Sequence, residues 1–158
     1  MKKVLYMAIT LLGLIAASCT KEAQPSAIDG QWQLETKAGL PADNEVYIDF
    51  KIDQFKIYQN LGTHSYRIYT GTFNADNNVL TGKYNDGSSL AADYDYILEG
   101  NNLTLIPVGD ELGAGQQTFT RVEIPAEVTD NALPALATCS SLATRSSLAT
   151  RATELRPL

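Results

Sequence analysis

The chain has 158 residues, a net charge of −6 and 44% hydrophobic residues, enough for one small folded domain. Between residues 19 and 132, seven Lys and Arg stand against 17 Asp and Glu. Such an acidic surface disfavours nucleic acid and anionic lipid as partners. One histidine and two cysteines are too few for the common zinc sites, so we expect no metal and no cofactor.

The first 19 residues have the layout of an export signal. Lys2 and Lys3 precede an uncharged apolar run over residues 4–17, which is too short to cross a bilayer as a helix. Small residues then lead to Cys19 in the sequence AASC. This resembles a bacterial lipoprotein signal, although Ala16 stands where leucine is usual. The resemblance implies removal of residues 1–18 and acylation of Cys19 by chains such as palmitate. An ordinary secretory signal with an incidental cysteine is the alternative.

An acylated Cys19 would make the membrane a partner of the mature protein. The sequence CTKEAQ lacks the acidic run that some lipoproteins carry for surface export. We therefore expect a lipid anchor in the outer membrane, with the periplasmic side favoured over the cell surface. Cys139 would then be a lone thiol with no disulfide partner, so the domain must be held by its core alone.

After a linker over residues 19–27, apolar residues alternate with polar ones almost throughout. This period of two predicts strands with one buried face. The eight runs cover residues 28–35, 45–53, 55–57, 66–68, 80–84, 93–99, 103–105 and 118–124.

Short turns separate these runs, with no helical stretch between them. The sequences at 74–78, 85–87 and 99–102 are rich in Asn, Asp and Gly, which tolerate positive φ. The pattern predicts an all-β domain over residues 28–132, an eight-stranded antiparallel up-and-down barrel. A two-sheet sandwich is the alternative. Pro125 and Glu127 favour a short helix after the last strand, which could cover a barrel end.

The C-terminal residues 133–158 contain a tandem repeat, LATC–SSLATR–SSLATR. Leu136, Leu142 and Leu148 recur every six residues and make no apolar stripe on a helix. The low complexity predicts a largely unfolded tail. Cys139 is then a degenerate repeat position and not a catalytic thiol.

The sequence DGQWQL, which contains the single tryptophan, resembles the Gly-x-Trp signature of lipocalins. The chain over residues 14–128 resembles the lipocalin-like lipoproteins of the Bacteroides group, with a lipobox, Gly-x-Trp and a late arginine in that order. The mid-chain TDY-like turn of lipocalins is not visible. The resemblance implies a barrel in which Trp32 lies across the closed floor and is covered by Arg121. A plain core tryptophan and a surface arginine are the alternative.

Several aromatic residues occupy alternate strand positions that, like those of Val46, Ile48, Ile57 and Leu105, are predicted to face the barrel interior. An eight-stranded barrel either fills with side chains or holds one small ligand, and both readings stay open. Tyrosines on an apolar wall would provide hydroxyl groups for a ligand. The candidate ligand-binding residues are Phe50, Phe55, Tyr66, Tyr84, Tyr94, Tyr96 and Phe119.

No catalytic motif stands out, so we expect a binding protein and not an enzyme. His64 is the only histidine and lies in a predicted turn. Asp93 and Asp95 share a strand face opposite Tyr94 and Tyr96, so we expect both to face water. The sequence thus predicts a monomeric, membrane-anchored envelope protein that binds a small hydrophobic or amphipathic molecule. A filled barrel that contacts another envelope protein is the alternative.

Overall fold

A computed structural model describes residues 24–62, 65–109 and 115–135 together with Pro157. Ten strands and one short helix occupy these ranges. The strands are β1 (Gly30–Lys37), β2 (Leu40–Pro41), β3 (Val46–Lys51), β4 (Gln54–Asn60), β5 (Tyr66–Asp76), β6 (Val79–Tyr84), β7 (Tyr94–Glu99), β8 (Asn102–Pro107), β9 (Gln117–Arg121) and β10 (Ala132–Pro134). The helix α1 (Ala126–Asp130) lies between β9 and β10.

Eight of the strands close into an antiparallel barrel. Its order is β1–β3–β4–β5–β6–β7–β8–β9, and the pairing of β9 with β1 closes the ring. Trp32 on β1 stands opposite Ile48 on β3 and Arg121 on β9. Closure leaves no unpaired edge, which an open sandwich would have. The predicted eight-stranded up-and-down barrel is therefore confirmed.

The two ends of the barrel differ in their connections. Two-residue turns at 52–53, 77–78 and 100–101 lie at the end where β1 begins, which we call the floor. The longer connections 38–45 and 85–93 lie at the opposite end, which we call the mouth, and β4 and β8 also end there. At one floor turn, Asn77 and Asn78 adopt φ values of 52° and 64°. Asparagine tolerates this conformation better than most residues, as the turn prediction required.

The barrel interior is lined by alternate side chains from all eight strands. Inward and outward residues alternate because successive side chains of a strand point to opposite faces. Trp32, Ile48, Ile57, Leu80 and Phe119 are completely buried there. Since the described domain lacks a disulfide, burial of this apolar surface is the main force that holds the barrel together.

Helix α1 packs against the outer wall of the barrel. Val128 on the helix and Ile124 before it cover the outward faces of Tyr47, Tyr58 and Tyr66. The expectation that this helix covers a barrel end was therefore wrong. The outward faces of β3, β4 and β5 are apolar enough to provide a docking surface, which a solvated barrel end does not.

The ordered chain continues past the helix. Ala132, Leu133 and Pro134 form β10, which pairs in parallel with Tyr66, Arg67 and Ile68 at the start of β5. The folded domain thus extends beyond the predicted boundary at residue 132. The rest of the predicted tail lies outside the described residues, apart from Pro157. Within the described ranges, no helix has the length and hydropathy that a membrane crossing requires.

Candidate functional site

The floor of the barrel is closed by Trp32 and Arg121. The indole is fully buried, and its Nε1 donates a hydrogen bond to the carbonyl oxygen of Ile28 at 2.9 Å. The guanidinium carbon of Arg121 lies 4.3 Å from the centroid of the tryptophan ring. Arg121 Nη1 also donates to the carbonyl oxygen of Asp29 at 3.1 Å. The arginine thus covers the tryptophan from the solvent side and ties the entering chain to the last barrel strand.

Gly30 makes room for this arrangement. Its φ of 138° is one that residues with a side chain rarely adopt. A Cβ atom at this position would overlap with Nη1 of Arg121. The backbone conformation therefore favours glycine at this position, and the missing side chain leaves room for the guanidinium of Arg121 over the ring.

Aromatic rings fill much of the interior. Phe50 and Phe73 pack edge to face with ring centroids 4.9 Å apart. Phe55 and Tyr84 do the same at 5.4 Å, and Tyr69 contacts Tyr84 at 6.1 Å. Aromatic pairs with this geometry stabilise a core by more than the free energy expected from the burial of their apolar surface alone. This part of the barrel is a packed core.

The interior contains six of the seven aromatic residues predicted to bind a ligand. Phe50, Phe55, Tyr84, Tyr94, Tyr96 and Phe119 all belong to the barrel core. The inward assignment of Tyr66 was wrong, because Tyr66 packs on the outer wall beneath α1. On β5 the inward positions are instead those of Tyr69 and Phe73, which the sequence analysis did not select.

Tyr66 belongs to a hydrogen-bonded cluster around Glu45. The carboxylate of Glu45 accepts bonds from the hydroxyl groups of Tyr47 at 2.5 Å and Tyr66 at 2.7 Å, and from Asn60 Nδ2 at 3.1 Å. Burial, followed by the bond to Glu45, raises the pKa of Tyr66 to about 12. The pKa of Tyr47 is raised for the same two reasons. The cluster keeps both hydroxyls protonated and fixes the wall on which α1 packs.

A cavity of about 350 Å³ opens at the mouth. This volume is within the range of pockets that hold small molecules. None of the seven predicted aromatic residues lines it. The lining residues are Leu34, Lys37, Leu40, Pro41, Ala42, Asp43, Asn44, Val46, Gln59 and Pro157.

An irregularity in β1 brings Lys37 to the cavity. The pairing of β1 with β9 shifts between Leu34 and Thr36, so that Leu34 stands opposite Phe119 and Lys37 opposite Gln117. Such a bulge reverses the alternation of inward and outward side chains. Lys37 therefore lines the mouth together with Leu34, although simple alternation would place them on opposite faces.

Two buried side chains of the barrel carry polar atoms without partners among the described residues. Gln117 is 1% exposed, and neither its Nε2 nor its Oε1 forms a hydrogen bond with any described residue. The hydroxyl of the fully buried Tyr94 is also unpartnered within the described part of the chain. Burial raises the pKa of Tyr94 to about 12, so its hydroxyl is neutral at physiological pH. These atoms offer donors and acceptors inside an otherwise apolar barrel.

The other candidate groups do not form a reactive site in the described residues. Asp93 and Asp95 are exposed, as predicted. Residues 24–62, 65–109 and 115–135 contain no group of His, Cys, Asp and Glu placed to hold a metal ion. Cys19, His64 and Cys139 lie outside the described residues.

Comparison with known proteins gives one result that bears on the fold. A family model described as a lipocalin-like domain matches residues 28–110, which is more than half of the chain. The match spans Trp32 and strands β1 to β8, and it ends before Arg121. No curated protein matches the chain.

Proposed function

The chain belongs to the lipocalin-like domain family, and from this premise we propose that its barrel holds one small hydrophobic or amphipathic molecule. The observation that carries this proposal is the cavity of about 350 Å³ at the mouth. A closed barrel with one open end offers a ligand an apolar environment and a single route of entry. The proposed protein is a binding protein and not an enzyme, in keeping with the usual role of this fold.

The lining of the cavity supports an amphipathic ligand. Leu34, Leu40 and Val46 provide apolar surface, while Lys37 and Gln59 provide a few polar groups. Pockets that bind small molecules commonly combine a mostly apolar wall with few polar groups that fix orientation. The apolar part of the ligand would contact the leucines and the valine, and its polar part would lie near the polar side chains.

Titration with N-phenyl-1-naphthylamine, a neutral apolar dye that fluoresces when buried, tests this proposal. The full chain should bind one dye molecule saturably. Leu34→Trp should weaken binding by about tenfold or more, because the larger ring fills the cavity. Ile97→Trp is the matched control, since Ile97 lies on the outer face and is 48% exposed. Equal binding by both variants would contradict a site at the mouth.

A second candidate function is a structural or interaction protein with a filled barrel. The packed rings of Phe50, Phe55, Phe73 and Tyr84 favour it, because these side chains contact one another inside the barrel. In that case the outer wall would contact another envelope protein. Absence of saturable dye binding by the wild-type chain, with the fold intact by circular dichroism, would favour this candidate.

We also propose that the mature protein is anchored in the outer membrane through acyl chains on Cys19, facing the periplasm. The apolar run that ends in AASC supports this proposal. More than one acyl chain makes such an anchor stable, whereas one chain does not. Wild type should partition into the detergent phase of Triton X-114, and Cys19→Ala should partition into the aqueous phase. Equal partitioning of the two would contradict acylation.

A further inference from the structure

This inference rests on the proposed function and concerns the head group of the ligand. The bulge in β1 determines which polar side chain of this strand lines the mouth cavity. Strict alternation from Leu34 would place Thr36 on the inner face and Lys37 on the outer face. The register shift between Leu34 and Thr36 reverses this, and Lys37 lines the cavity. The irregularity thus places a positive charge at the entrance of the barrel.

The ammonium of Lys37 is available to a ligand. No ion pair joins Lys37 to a residue in the described part of the chain. An ammonium has three hydrogen-bond donors and no acceptor, so the group that it binds must accept. Because Lys37 is exposed, water screens this charge in part, and its effect on affinity is expected to be moderate.

Gln59 adds a second donor to the same cavity. It stands on β4 opposite Val46 of β3, and both residues line the cavity. The hydroxyl of Tyr69 donates to Gln59 Oε1 at 3.2 Å, which occupies the acceptor side of the amide. The Nε2 of Gln59 can only donate, and it has no hydrogen-bond partner among the described residues. Lys37 and Gln59 therefore both offer donors to a molecule in the cavity.

Asp43 is the one acidic residue of the cavity lining. It belongs to the connection 38–45, outside the barrel strands, and it is exposed. Lys37 belongs to the barrel wall and stands opposite the buried Gln117. A ligand whose hydrocarbon part contacts the apolar lining would therefore place its head group closer to Lys37 than to Asp43.

We propose that Lys37 and Gln59 form a recognition site for a singly charged anionic head group such as a carboxylate. A carboxylate only accepts hydrogen bonds, and its two oxygens match the two donors. One lysine balances one negative charge. The ligand is then an anionic amphiphile whose hydrocarbon part contacts Leu34 and Val46.

Displacement of N-phenyl-1-naphthylamine from the full chain at pH 7.5 and about 0.1 M salt tests this site. The competitors are decanoate and decylamine, which share a chain length and have opposite charges, with decan-1-ol as the neutral reference. Decanoate should displace the dye at concentrations about fivefold lower than decylamine, the size of effect expected for an ion pair with an exposed lysine. Equal potency of the two, or greater potency of decylamine, would overturn the proposal.

Variants assign the preference to the two residues. Lys37→Met should raise the concentration of decanoate required by about fivefold and leave that of decan-1-ol unchanged. Lys51→Met is the matched control, because it removes the same charge from an exposed position at the floor end of β3. Gln59→Glu keeps an acceptor for Tyr69 but replaces the donor with a negative oxygen, so it should also weaken decanoate selectively.

The outcomes separate this inference from the proposed function. Decanoate binding that is unchanged in Lys37→Met, or that falls equally in Lys51→Met, overturns the proposed head-group site. The proposed function then still stands, because decan-1-ol displaces the dye in every variant. Failure of the wild-type chain to bind the dye overturns both.

Discussion

The guanidinium carbon of Arg121 lies 4.3 Å from the ring centroid of Trp32, across the pair of strands that closes the barrel. This contact joins the first barrel strand to the last. The same guanidinium bonds to the carbonyl oxygen of Asp29, just before β1. The arginine therefore contributes both to the cover of the floor and to the closure of the ring.

The first prediction concerns this pair. Trp32→Ala should lower the free energy of unfolding by about 3–5 kcal/mol, the range for removal of a large buried aromatic side chain. Arg121→Ala should cost about 0.5–2 kcal/mol, as expected for a cation over an aromatic face. The two losses should not add in the double variant, because each residue loses its partner in the single variants. Urea denaturation measures all three values. Additivity within about 0.5 kcal/mol would show that the contact carries no coupling.

A second prediction concerns backbone strain at the floor. Ile52 has a φ of 63°, which is unfavourable for a β-branched residue. Its amide donates to Asp29 Oδ2 at 2.9 Å, a bond that does not depend on the side chain. Ile52→Asn should therefore raise the free energy of unfolding by about 1 kcal/mol, since asparagine tolerates this conformation. Ile52→Val keeps the branched side chain and should give no such gain in the same urea experiment. A gain of equal size in both variants would contradict the argument.

The barrel could be predicted from the sequence because alternation, turn residues and strand number all indicate the same fold. The face of β5 that points into the barrel could not be predicted, because side chains on both faces of the first half of this strand are buried. Tyr66 and Ile68 lie beneath α1, while Tyr69 and Phe73 lie inside the barrel. Alternation does not distinguish the inner face when a helix covers the outer one. This explains the wrong assignment of Tyr66.

The mouth cavity could not be predicted from the sequence either. Lys37 lines the cavity because a bulge in β1 shifts its side chain to the inner face. Other lining residues belong to connections between strands, whose path depends on the tertiary fold. Gln117 lies in the apparently polar sequence GAGQQT, where nothing distinguishes the buried glutamine from its exposed neighbour Gln116. By contrast, the pairing of Trp32 with Arg121 was implied by the resemblance to lipocalins, in which an arginine of a late strand covers the tryptophan of Gly-x-Trp.

A third prediction separates the contribution of β10 from that of the repeat-containing residues 136–158. Removal of residues 136–158 should lower the thermal midpoint by about 2 °C or less, because Pro157 at the mouth is the single described residue that this deletion removes. Removal of residues 132–158 should lower it by about 5 °C or more. The larger deletion removes β10 and the bond from the Ala135 amide to the Ile68 carbonyl oxygen. Differential scanning calorimetry measures both midpoints. Equal midpoints would show that β10 adds nothing to stability.

A fourth prediction follows from the buried hydroxyl of Tyr94. Burial raises its pKa from 10.0 to about 12 in the folded state. The unfolded chain therefore loses this proton at lower pH than the folded chain does. Stability from Tyr94 is complete below about pH 10 and declines as the pH rises toward 12. Urea midpoints of wild type and Tyr94→Phe, measured from pH 8 to pH 11.5, should show a smaller decline in the variant. Parallel declines would contradict a buried, neutral Tyr94.

Native mass spectrometry of the full chain, purified mildly from the cells that produce it, tests the central claim of a ligand in the barrel most directly. The wild-type protein should retain one small molecule per chain, which collisional activation releases. The Leu34→Trp variant should lose most of this adduct, and Ile97→Trp should keep it. A wild-type protein that shows only the mass of the chain itself, under conditions that preserve its fold, would contradict the account.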